Sequence, residues 1–171
     1  MLRVAIAIAA ALATLGWSAG PSAHSSGSVS GAVTAAVAYS MPLDPPAMVV
    51  RRFEPPPQPY AAGHRGVDLA TATGAPVRAA GAGRVAYAGT LAGRGLVVIA
   101  HADGVRTEYE PVRPAVRVGA VVRGGAVIGF VFGRHGRCAA GRCLHWGARV
   151  GGTYIDPLSL LRPLGPVRLL P

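Results

Sequence analysis

The sequence predicts an all-β domain, antiparallel and sandwich or barrel-like in form, and three observations carry that expectation. Glycine (24) and proline (15) together approach a quarter of the 171 residues, which favours turns over long helices. Short apolar runs recur with turn residues between them. Several of these runs alternate, as where Val85 and Tyr87 interleave with Arg84 and Ala86, the pattern of a half-buried strand.

The elements follow in order. A first strand is expected at residues 49–53, after Pro42, Pro45 and Pro46 have ended any helix before them. Residues 54–60, with three consecutive prolines, form a stiff extended segment. Short strands follow at 67–69 and 77–79, around a turn at 71–76. Residues 83–89 and 95–101 are longer strands, and Ala102-Asp103-Gly104 makes a hairpin turn into a strand at 105–112, because Asp-Gly readily takes positive φ. Val116, Val118 and Val121 flank a turn at Gly119, and Gly124-Gly125 turns into a strand at 126–132. A loop rich in glycine and arginine spans 133–142, the last long strand spans 144–150, Gly151-Gly152 turns it, and residues 157–161 close the domain with a short helix or turn.

All 17 basic residues are arginines, set against 7 acids, for a formal net charge of +10. They are spread evenly and form no stripe, so nucleic acid is not the expected partner. An anionic polymer such as a cell wall suits the same charge. Met1-Leu2-Arg3 is a short basic start, residues 4–17 are almost wholly apolar, and Ser18, Ala19 and Gly20 are small. This predicts a secretory signal peptide over 1–20, with the boundary between 19 and 25, since the apolar run is short for a membrane span. An uncleaved anchor is the alternative. Residues 21–52 are expected to be flexible or weakly structured, 53–162 to form the domain, and 163–171 to be a tail.

The candidate chemistry centres on Ala62-Gly63-His64-Arg65-Gly66-Val67-Asp68-Leu69. An imidazole and a carboxylate four positions apart, on a turn entering a strand, can converge on one borderline metal such as Zn²⁺. A third ligand has to come from elsewhere. Of the other histidines, His24 lies in a Ser/Gly stretch, His101 is expected to be structural, and His135 to be a solvated loop residue. His145 differs: in a strand Cys143, His145 and Gly147 share one face, and Leu144 and Trp146 share the other. Burial of Leu144 and Trp146 would then aim His145 into a groove.

The chain resembles the M23 family of zinc metallopeptidases, the lysostaphin/LytM-type peptidoglycan hydrolases. The resemblance rests on the motif around His64 and Asp68, on residues 77–85, 99–109 and 118–129, on Leu144-His145-Trp146 and on Asp156-Pro157, covering about 53–162. It implies a LytM-type duplicated hybrid motif with a groove holding Zn²⁺. The implied ligands are His64, Asp68 and His145, leaving a fourth position open as in catalytic zinc sites. The family places catalytic histidines at two further motif positions. Here those positions hold Pro111 and Cys143, so the resemblance implies a divergent form lacking both usual catalytic histidines. Glu108 and Glu110 are the nearby candidates for a replacement base; on a regular strand they face opposite to Tyr109 and Pro111, and only a bulge or the local effect of Pro111 would turn Glu110 inward as that base.

Cys138 and Cys143, the only cysteines, are expected to form a disulfide in an exported protein. A free Cys143 thiolate, as base or fourth zinc ligand, is the alternative. The signal-like start and the arginine excess predict a secreted bacterial protein of the envelope or exterior, without stable membrane insertion after cleavage and expected to be a monomer. It would act on peptidoglycan cross-links or wall-linked peptides by zinc-activated water. A zinc-containing module that binds wall peptides and cuts weakly or not at all is the alternative.

Overall fold

The computed structural model describes residues 36–58, 60–135, 138 and 142–161. The expected signal peptide, the stretch up to residue 35 with His24, and the tail at 163–171 lie outside the described residues.

Among the described residues there are eleven strands and one closing 3-10 turn: β1 (Val49–Arg51), β2 (Gly66–Ala70), β3 (Pro76–Arg78), β4 (Gly83–Leu91), β5 (Arg94–Ala100), β6 (Val105–Glu110), β7 (Val112–Pro114), β8 (Val121–Val122), β9 (Val127–Val131), β10 (Cys143–Val150), β11 (Thr153–Ile155) and the turn at Pro157–Leu161. The larger sheet runs β1-β2-β10-β6-β5-β4-β8, with β11 also on β10. The smaller runs β3-β9-β7. Every pairing is antiparallel.

Two sheets face each other across one core. Val67, Leu69, Val85, Val97, Ile99, Tyr109, Leu144 and Trp146 of the larger sheet join Val77, Val112, Ile128 and Val131 of the smaller in a single buried cluster. The sandwich form is therefore observed, and the barrel-like form is not: neither sheet closes on itself. The physical reason lies in the edges. β8 has two residues and β1 has three with a register shift, too little ladder to close a ring. The smaller sheet instead covers the apolar face of the larger.

The step between the sheets is made at Pro111, which is buried. Proline has no N–H to continue a ladder, so β6 ends at Glu110 and the chain enters the smaller sheet as β7. Along β6 the alternation is regular: Val105, Thr107 and Tyr109 are buried, while Arg106 is exposed and Glu108 and Glu110 are half-buried. The hairpin turn at 102–104 forms as expected, with Gly104 at φ 84°. Asp103 does not adopt positive φ; its carboxylate accepts the Val105 N–H at 3.2 Å instead.

A buried polar chain ties β5 and β6 to the segment before β4. His101 Nδ1 donates to the Ala82 carbonyl at 2.9 Å, so its Nε2 accepts from Thr107 Oγ1 at 2.8 Å. Thr107 Oγ1 in turn accepts from the Tyr109 hydroxyl at 2.8 Å, and the Tyr109 oxygen accepts the Ala80 N–H at 2.9 Å. Burial lowers the His101 pKa, against the Ala82 bond and the Asp103 charge, which keeps the ring in the neutral form this chain requires. His101 is thus structural. Among the described residues no helix is long and apolar enough to cross a membrane.

Thr107→Val keeps the shape and removes the central hydroxyl, leaving His101 Nε2 without a donor and the Tyr109 O–H without an acceptor. Urea denaturation is expected to show a loss of about 1–3 kcal/mol.

Candidate metal centre

β10 lies between β2 and β6, and its register places three chemical side chains in one row. His145 pairs with Asp68 on one side and with Glu110 on the other. Directly opposed residues of antiparallel strands project from the same face. The intervening residues Val67, Leu69, Leu144, Trp146 and Tyr109 turn the other way and are fully buried. Hydrophobic burial on one face therefore aims the polar row out of the other.

His64 reaches the same point from outside the sheets. It forms an isolated bridge with Glu54: the Glu54 N–H donates to the His64 carbonyl at 3.0 Å and the His64 N–H to the Glu54 carbonyl at 2.8 Å. The stiff segment after Glu54 presses close, since a Cβ on Gly63 would lie 2.7 Å from the Glu54 oxygen and 3.0 Å from Pro56 Cα. Only glycine permits that approach.

The donor atoms converge. His64 Nε2, Asp68 Oδ1 and His145 Nδ1 lie 3.0 Å from one another, pair by pair, and all three residues are buried. His64 Nδ1 is 2.6 Å from the Arg52 carbonyl, which can only accept, so Nδ1 carries the proton. In the neutral ring Nε2 is then a lone pair. It faces a carboxylate oxygen and a second imidazole nitrogen, a set that can close around a cation or around one shared proton on His145. A ring N–H given to a backbone carbonyl, with the other nitrogen left for a metal, is the usual arrangement of a ligating histidine. Tetrahedral bonds of about 2.0–2.1 Å to Zn²⁺ keep donor atoms roughly 3.3 Å apart, close to the observed triangle. The residues fit a zinc ion.

Electrostatics agree. Burial would raise the Asp68 pKa, but the His145 hydrogen bond and the nearby His64, His145 and His135 rings outweigh it and hold the carboxyl below its ordinary value. Burial lowers the His145 pKa, against the pull of Asp68. Asp68 is thus kept anionic and His145 neutral, the forms that bind metal.

His135 joins the cluster, where its ligand atom and those of His64, Asp68 and His145 lie within 4.8 Å of one another. Its Nε2 is 3.7 Å from Asp68 Oδ1, its Nδ1 is 3.2 Å from Glu110 Oε1, and its ring stacks on His145 with centroids 4.5 Å apart. The sequence leaves His135 as a solvated loop residue, and the structure corrects this. It also overturns the expectation of a divergent site deprived of its histidines at Pro111 and Cys143: a cluster of three histidines and an aspartate is intact, with His135 contributed from the loop. The available signal was the spacing of His135 before Cys138 and of Cys143 before His145. Cys138 and Cys143 are disulfide-bonded with Cα atoms 5.8 Å apart, tying the His135 loop to the start of β10. A free Cys143 thiolate, as base or zinc ligand, is thereby excluded.

Of the two glutamates, Glu108 pairs with Arg149 at 2.9 Å and accepts from the Tyr154 hydroxyl at 3.3 Å. Glu110 faces His135 and accepts from Arg94 Nε at 3.1 Å. Burial would raise the Glu110 pKa, but His135 and Arg94 reverse this and bring it down to about 2.

Comparison with known proteins adds an independent line. The model of peptidase family M23 matches residues 62–157. An uncharacterised protein of Mycobacterium tuberculosis is 50% identical over 134 residues, 76% of this chain and 53% of that protein. The DD-carboxypeptidase/endopeptidase Mpg of Neisseria meningitidis is 42% identical over 101 residues, 58% of this chain and 23% of that protein. Among solved structures, a zinc-containing peptidase from Vibrio cholerae superposes with a TM-score of 0.61 at 26% identity, covering 73% of this chain and 40% of that one. The chain spans about half the length of the mycobacterial relatives it matches.

A Cβ on Gly66 would strike the Trp146 carbonyl and lie 2.8 Å from both Cε1 and Nε2 of His145. Gly66→Ala is therefore expected to tilt the His145 ring and weaken zinc binding about 10–100-fold, measured by competition with a chromophoric chelator while circular dichroism reports the retained sheet.

Proposed function

The chain belongs to peptidase family M23, and from that premise we propose that it is a zinc metalloendopeptidase acting on the peptide cross-links of bacterial peptidoglycan. The observation that carries this reading is the triangle of His64 Nε2, Asp68 Oδ1 and His145 Nδ1, each 3.0 Å from the other two. Those three residues would hold the ion. Zinc bound there supplies Lewis acidity, polarising a carbonyl and lowering the pKa of water.

The protein's own contribution is orientation and charge. The β2–β10–β6 register holds Asp68 and His145 without loop freedom. The Arg52 carbonyl selects the His64 tautomer. Asp68 brings one negative charge into a buried site, which partly offsets a dication and leaves the centre electrophilic. Three ligands from the protein leave room for substrate and water, as catalytic zinc sites do.

The Neisseria relative's name as a DD-carboxypeptidase/endopeptidase supports wall peptides as the substrate class. The net charge of +10 favours approach to an anionic wall. The signal-like residues 1–20 support a location outside the cytoplasm, in the envelope or beyond it.

Two measurements test the reading. Metal analysis of the purified chain should give about one zinc per molecule, and His145→Ala should abolish it; full zinc content in that variant overturns the ligand set. Zinc-loaded protein incubated with purified peptidoglycan should release new amines and muropeptides, with Asp68→Ala inactive. Sedimentation with the wall but no release, over several cross-link types, would identify a binding module instead.

A further inference from the structure

We propose that the cavity between the β4–β5 hairpin, β7 and the end of β9 is a subsite for a carboxylate-bearing residue of the wall peptide, beside the metal centre. The inference rests on wall peptides being the substrate class and adds which part of them this chain selects.

The cavity is a product of the step between the sheets. β6 ends at Glu110 in the larger sheet, and the chain passes through Pro111 into β7 of the smaller. The β4–β5 hairpin packs against β7 at this step. A Cβ on Gly95 would strike the Val112 carbonyl, so the approach requires glycine. Beside the crossing a hollow of about 340 Å³ remains, at the lower end of the range for small-ligand pockets.

Its walls carry one kind of charge. Arg94, Arg113 and Arg134 line it, and no acidic residue does. Pro111, Val112 and Phe132 supply apolar surface for the aliphatic part of a ligand. Phe132 is 61% exposed, and the Arg113 guanidinium lies 5.9 Å from its ring centroid. The ring steadies that cation without neutralising it. Arg94 donates Nε to Glu110 at 3.1 Å, and its terminal nitrogens have no further partner among the described residues. Arg134 has no partner there either. Three cations thus face the hollow, and a single carboxylate outside it offsets one of them. Planar guanidinium forks with free N–H groups match a carboxylate.

Two features favour a peptide carboxylate over a phosphate polymer. A hollow of this size holds one residue, and the chain's arginines are spread along the sequence with no block for an extended polyanion to follow. The hollow also adjoins the metal centre. Arg94 holds Glu110, which lies directly opposite His145, and Arg134 precedes His135 of the metal-binding cluster. A peptide laid over the centre therefore brings a neighbouring residue to the arginines.

The test measures binding apart from cleavage. The metal-stripped full chain, in which no ion can hold the carboxylate, is titrated with soluble muropeptides by calorimetry. Fragments with free carboxylates should bind about 10-fold more tightly than the same fragments amidated, and the preference should shrink as salt rises. Arg113→Gln combined with Arg134→Gln should remove the preference. Arg117→Gln combined with Arg123→Gln, the same charge change at exposed positions off the cavity, should leave it. In the zinc-loaded chain the first pair should raise KM for free-carboxylate fragments with kcat little altered. Equal affinity for free and amidated fragments overturns the inference, as does an equal loss from both pairs of substitutions. Tighter binding of a glycerol phosphate oligomer that competes for the same arginines makes this a phosphate site and overturns it too. A zinc-loaded wild type that cleaves nothing but keeps the arginine-dependent preference overturns the peptidase reading and supports the subsite.

Discussion

The register of β10 against β2 and β6 is the constraint on which the rest of this structure depends. It seats Leu144 and Trp146 in the core and, by the same alternation, puts His145 between Asp68 and Glu110. A slip of one residue would send two large apolar side chains to the outer face and the imidazole into the core. Burying Trp146 and Leu144 therefore does more than stabilise the sheet: it makes the wrong register costly, and so fixes the position of the His145 imidazole. The central strand is buried on both faces over most of its length, by the core on one side and by the site on the other.

The same constraint sets up an electrostatic tension. The triangle gathers three electron-rich atoms in a buried place, with the His64 proton committed to the Arg52 carbonyl. Such a cluster is capable of coordinating a metal ion, and the core holds its members in place. The glycines at 63 and 66 belong to this arrangement. One lets the proline segment approach the backbone before His64, and the other leaves room for the His145 ring.

Three of the histidines show how surroundings decide the role of one residue type. His101 is enclosed in a complete chain of hydrogen bonds through Thr107 and Tyr109, with every donor matched to an acceptor. It has no capacity left for chemistry. His145 has one nitrogen in the triangle and the other against Gly66. His135 stacks on the His145 ring, with Glu110 3.2 Å from one of its nitrogens and Asp68 3.7 Å from the other.

Local patterns in the chain determined the all-β class, the alternation along β6 and β10, the turns at Gly104 and at 151–152, and the pairing of the two cysteines. These depend on side-chain period, on glycine conformations and on proximity in sequence. The convergence of His64, Asp68 and His145 was also legible, because two lie on one short motif and the third is aimed by the burial of its neighbours. Tertiary structure alone decided whether the sheets close, since that depends on edge strands too short to carry a pattern. It alone placed His135 as well. A loop residue has no periodicity to declare its direction, so its approach to Glu110 is not legible in local sequence. The motif positions at Pro111 and Cys143 suggested a loss of imidazole that space does not show, because a site is built from positions in three dimensions, and a loop twenty-five residues after Glu110 can fill a place that a strand leaves open.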